Sequence, residues 1–203
     1  MSISLRESKS QLLSEEIFRE LNDSRNTASD EDKREMNVFY NSSVLEKENK
    51  FINFGDVFEI NKEKYLICIT PLCDCLRPQE KIKGNYFFAL GKKIALTKAL
   101  QLGDTAFTSF LPNGKVIIWT DVPREESKYV PIYIKPVQFK VVSGKDKINQ
   151  EGMIELFSLD ENGKSEITSV QYVTTIRENY AQRIANHTFF YPLRVGVDFV
   201  KGK

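Results

Sequence analysis

The feature that most constrains the fold is a change of hydrophobic period near Phe51. Upstream, apolar residues recur at intervals of three and four, the mark of a helix with one buried face. Leu5, Leu12, Leu13, Ile17 and Leu21 make such a stripe among charges. A polar break follows, and Ser29 is placed to cap a second helix with Asp30, Glu31 and Asp32 in its first turn, where the helix dipole favours negative charge. Met36, Phe39, Tyr40 and Val44 would be its inward stripe. Residues 1–50 therefore read as a helical hairpin too small to stand alone. Residues 51–203 read as a second region of different construction, a barrel-like domain with a C-terminal helix and tail.

Downstream of Phe51 the apolar residues fall into short runs bounded by turn chemistry. Asp56-Val-Phe-Glu-Ile and Lys64-Tyr-Leu-Ile-Cys-Ile-Thr form a hairpin across Asn61-Lys-Glu-Lys. Further strands are predicted at Tyr86–Leu90, Thr105–Phe110, Val116–Trp119, Tyr129–Ile134 and Val137–Val142, with Pro112-Asn-Gly114 as a hairpin turn. Lys93–Leu102 suits a short helix. Glu151–Leu159 and Lys164–Ile167 suit one more hairpin. Val173, Ile176, Tyr180, Ile184 and His187 predict a closing helix over Thr168 to Phe190, ended by Pro192, with an extended tail beyond it. The fold class expected is α+β: an SH3-like small barrel or curved antiparallel sheet, flanked by the N-terminal helices and the C-terminal helix.

Composition narrows the function classes. The chain of 203 residues is 41% hydrophobic and 11% aromatic, with 14 Phe and 8 Tyr, enough for a packed, strand-rich core. Its formal charge is +1, divided as −3 over residues 1–50 and +4 over the rest, so no global field drives nucleic-acid binding. No run of about 18 apolar residues offers a membrane span. Three cysteines and no export signal point to free thiols in the cytoplasm.

Chemistry concentrates in Tyr65-Leu-Ile-Cys-Ile-Thr-Pro-Leu-Cys-Asp-Cys-Leu-Arg-Pro78, where an apolar strand runs into a rigid turn. Thr70, Cys73, Asp74, Cys75 and Arg77 are the candidate binding residues there. On a strand, Cys73 and Cys75 would share a face. Arg77 would offer its fork to a carboxylate or phosphate, or pair with Asp74. Zinc wants four ligands, and only Cys68 and His187 remain as further candidates, so no metal or cofactor is expected. A single histidine and the absence of phosphate-loop, dinucleotide, metalloprotease and nucleophile-elbow motifs argue against common catalytic machinery. Arg177, Arg183 and Arg194 could form a basic strip. Trp119, Tyr129, Tyr133 and Phe139 among lysines could stack bases, though alternation favours burying them.

Two family resemblances follow from these residues. Phe54-Gly-Asp-Val-Phe-Glu-Ile, the Thr70-Pro-Leu-Cys-Asp74 turn and the tail Arg194-Val-Gly-Val-Asp-Phe199 resemble segments of little-characterised bacterial proteins. Some of these are similar to response regulators and occur beside mobile or phage-defence genes. The resemblance covers about residues 51–199 and implies regulation or assembly in a defence system, with Arg194 and Asp198 joining the binding residues. Receiver-like βα repeats are absent from the first 50 residues. Gly55-Asp-Val and Leu66-Ile-Cys-Ile-Thr-Pro also resemble the first strands of toxin ribonucleases built on an SH3-like barrel. That family's catalytic arginine follows the first strand, and here no arginine lies between Val57 and Thr70.

The reading reached is a non-catalytic regulatory or scaffolding subunit that binds a protein partner in a bacterial anti-phage defence or stress-response complex. The alternatives are a nucleic-acid-binding protein or barrel ribonuclease, and a thiol or metal sensor. Oligomeric state is left open.

Overall fold

The computed structural model describes residues 29–42, 47, 50–102, 107–120, 134, 136–141, 147–159 and 163–195. Its centre is a closed six-stranded antiparallel barrel. Strands β1 (Asp56–Glu59), β2 (Lys64–Cys68) and β3 (Asn85–Ile94) form one meander; β6 (Pro136–Lys140), β7 (Met153–Leu159) and β8 (Ser165–Thr175) form the other. The meanders join along β3–β6 and β8–β1, which closes the ring. The small barrel expected from the spacing of strands and turns is the fold found.

Between the meanders lies a hairpin of β4 (Thr108–Phe110) and β5 (Val116–Ile118). It pairs with Lys92–Ile94, while β6 pairs with Asn85–Ala89. One ten-residue strand therefore serves barrel and hairpin in succession. Turn chemistry fixes both tight hairpins. Asn61 Oδ1 accepts from the backbone of Glu63 and Lys64, and Asn113 Oδ1 accepts from Lys115 N while Gly114 supplies the positive φ.

Alternation sorts side chains into two cores. Phe58, Leu66, Cys68, Tyr86, Phe88, Ile154, Leu156 and Val170 fill the barrel. Phe58 meets Phe88 and Tyr172 edge-on, with ring centroids 6.1 and 5.9 Å apart. The opposite phase, Val57, Tyr65, Ile67, Ile69 and Ala89, packs outward under Ile117, Trp119 and a long helix. The continuous run Tyr65–Ile69 is thus a strand buried on both faces. Gly91 makes this second core possible, since a Cβ there would lie 2.5 Å from the Trp119 ring.

The helices are α1 (Asp30–Asn41), the single turns α2 (Leu72–Cys75) and α3 (Pro78–Lys81), α4 (Leu96–Leu102), and α5 (Glu178–Val195). Ser29 caps α1 in a reciprocal box with Asp32. On α1, Met36, Val38, Phe39 and Tyr40 are half-buried and Asn41 is buried, while Val44 lies outside the described residues; Val38 joins a third small cluster with Ala99, Phe110 and Val116.

The bounds of the closing helix are corrected. Thr168–Thr175 is strand rather than helix, and α5 begins at Glu178 and continues past Pro192. The β-branched run Thr168, Val170, Val173, Thr174 and Thr175 prefers a pleated surface, and the three-residue step from Val173 to Ile176 imitates helical spacing. No helix of the described residues is long and apolar enough to cross a membrane. The expected helix over 5–22 and most of the strand at Tyr129–Ile134 lie outside the described residues.

Candidate functional site

The segment that leaves β2 turns the chain outward. Thr70 is fully buried: its hydroxyl accepts from Phe87 N at 2.7 Å and donates to Phe87 O at 3.3 Å. It therefore stitches the strand end to β3 rather than facing a ligand. Pro71 then starts α2, and Pro78 opens α3.

Because Leu72–Cys75 is a helical turn, Cys73 and Cys75 part company. Cys75 is buried and donates to Thr70 O at 3.4 Å, whereas Cys73 is exposed beside Asp74 Oδ1. Two residues on a helix point in nearly opposite directions, so the shared thiol face expected of a strand is absent. Cys68, in the barrel, has its thiol pushed well above the usual range, first by burial and then by the neighbouring Cys75. Arg77 lies 3.8 Å from Glu80, with both side chains largely exposed. The expected Arg77–Asp74 pair gives way to this i,i+3 contact.

What the turn presents is apolar. Leu72 is 49% exposed and Leu76 67%, one helical turn apart on the same side. Arg77, Lys81 and Lys83 stand exposed around them with Glu80. These leucines were not among the candidate residues of the sequence, where Cys73, Asp74 and Cys75 stand between them. Their signal is an i,i+4 leucine pair between two prolines.

A second polar group lies inside the barrel mouth, 0% exposed: Asp56. It pairs with Lys47, accepts from Asn53 N at 2.7 Å and from the Thr175 hydroxyl at 2.7 Å, and Thr175 in turn bonds the Tyr172 hydroxyl at 2.8 Å. A bulge makes this possible: β8 passes from Thr174, opposite Val57, to Tyr172, opposite Phe58. The extra residue shifts the phase, and Tyr172 and Thr175 meet on one side. Desolvation holds the Asp56 carboxyl above its ordinary value despite Lys47 and these donors. Burial likewise pushes the Tyr172 phenol up to about 12.

Of the expected basic strip, Arg177, just before α5, and Arg183, on it, make aromatic contacts. The Arg177 guanidinium lies 5.3 Å from the Phe39 ring and donates to Ser42 O, and that of Arg183 lies 5.6 Å from the Phe107 ring. His187 stacks on the same Phe107 at 4.5 Å. Trp119 is buried with its indole N–H on Ser109 Oγ, and Phe139 packs towards the barrel core. Arg194 belongs to α5, and Asp198, Tyr129 and Tyr133 lie outside the described residues. Among the described residues no group of three or more His, Cys, Asp or Glu side chains is placed to hold a metal. No protein-family model matches the chain, and no curated protein or solved structure matches it.

Proposed function

We propose that this protein is a non-catalytic recognition subunit of the cytoplasm, which binds a protein partner through the α2–α3 turn. The observation that carries the reading is the exposed Leu72–Leu76 pair on a segment made rigid by Pro71, Pro78 and the buried Thr70. An apolar pair with a charged rim suits an apolar groove on a protein, with Arg77 and Lys81 facing carboxylates at its edge. The clustered polar groups are compatible with the same reading, since Lys47 and Thr175 both bond Asp56 and so serve the barrel mouth. The biological setting we infer, a bacterial anti-phage defence or stress-response complex, rests on the resemblance of the Thr70–Asp74 turn and the Arg194–Phe199 tail.

The test is a gentle affinity purification at near-native expression, comparing the wild type with Leu72→Ser/Leu76→Ser. The expected result is a stoichiometric protein partner with the wild type that the double variant loses. RNA that copurifies without a protein partner and leaves at high salt would overturn the reading.

A further inference from the structure

A cleft of about 360 Å³ opens where α1, α4, β4 and α5 meet, on different elements from the Leu72–Leu76 turn. That volume lies within the range of about 300–1,000 Å³ typical of small-molecule sites. Leu100 and Phe110 give it apolar walls, while Asn37, Asn41, Thr108 and Tyr180 supply amides and hydroxyls. An adjoining cavity of about 20 Å³ shares Asn41, Thr108 and Tyr180 and reaches Arg183. Among the described lining residues there is no carboxylate, so the cleft suits a neutral or anionic ligand.

The polar groups are oriented and incompletely used. Asn37 donates to Lys33 O at 2.8 Å and Asn41 to Asn37 O at 2.9 Å, which fixes both amide planes along α1. Each amide keeps its oxygen and one N–H beyond these bonds. Asn41 is only 5% exposed. The Thr108 hydroxyl is buried with no hydrogen-bond partner among the described residues. An orphaned buried hydroxyl beside two fixed amides is disfavoured in the fold alone, and a bound hydrogen-bonding ligand relieves it.

We infer that this cleft binds a purine nucleoside or its monophosphate. A side-chain amide presents a donor and an acceptor side by side, the complement of a purine edge. Leu100 and Phe110 offer apolar surface to the flat heterocycle. Arg183, stacked on Phe107, places positive charge beside the adjoining cavity, which has room for about one water, so a phosphate on the nucleoside would lie at the edge of the cleft on that side. This inference is independent of the protein partner proposed for the α2–α3 turn.

The test is calorimetric titration of the full chain with adenosine, guanosine and their monophosphates, each up to about 1 mM. At least one is expected to bind saturably. Thr108→Val removes a hydroxyl that bonds nothing in the protein, so its melting temperature should hold or rise while affinity falls at least about tenfold. Leu100→Trp, which fills the cleft from a half-buried position, should abolish binding. Absence of binding by all four compounds, or binding that survives both substitutions, overturns the inference.

Discussion

Two features lie near the end of β2 and have opposite fates. Asp56 begins β1 beside Cys68, where Gly55 N donates to Cys68 O, and it points into the barrel with every neighbour engaged. A few residues further on, Leu72, Leu76 and Arg77 point to solvent from a turn that the fold anchors but does not cover. A buried charge is tolerated only when its partners saturate it, so the first group is committed to holding the structure. Exposed apolar side chains on a rigid support carry no such commitment and are available to another molecule.

The sharpest way to break this contrast is Asp56→Ala. It leaves Lys47, 11% exposed, beside the barrel mouth without its carboxylate, and should cost about 3–5 kcal/mol in urea denaturation. Equal stability of variant and wild type would show that the inner cluster holds nothing. Acidity sharpens the same point. Because the folded Asp56 carboxyl lies above its ordinary value of 3.8, its contribution is full below that value and is lost as pH rises through the folded one. The wild type should therefore lose stability across that rise, and Asp56→Asn should remove this part of the slope.

Thr70→Val comes next, at about 1–3 kcal/mol, since it takes both Phe87 bonds from the root of the outer turn. Stability unchanged by that substitution would mean that the turn is not anchored through Thr70. A thiol reagent should then modify Cys73 at once in the native protein, and Cys68 and Cys75 only on unfolding. Fast modification of all the thiols would contradict the separation of inner from outer side chains. Smallest in stability is Leu72→Ser/Leu76→Ser, within about 0.5 kcal/mol in the same denaturation series. A larger loss would show that the leucines serve the fold.

Much of the barrel was legible in the chain. The Asn61 and Asn113-Gly114 turns carry their mechanism in their side chains, and the run Tyr65–Ile69 could only be buried. The Thr168–Thr175 strand was not legible, because its spacing merges with that of the helix after it and one of its two partners, β1, is more than 100 residues away in sequence. The candidate site divides in the same way. Pro71 and Pro78 announce a rigid turn, but the four-residue helix that separates Cys73 from Cys75 is too short to carry a periodic signal. The inner cluster left one trace: Asp56 shares the inward phase of Phe58, and a carboxylate there requires partners. Lys47 and Thr175, on other segments, could not be named without the bulge that brings Thr175 round.

The bond between Thr175 and Asp56 closes the ring across 119 residues of chain. During synthesis the first meander leaves the ribosome with Phe58, Leu66 and Phe88 facing a lumen that does not yet exist. At about 5–20 residues per second, several seconds pass before β6, β7 and β8 arrive to cover them. The nascent chain therefore spends that interval as a sticky half-barrel, and its yield in the cell will depend on whatever shields that apolar face until the second half is made.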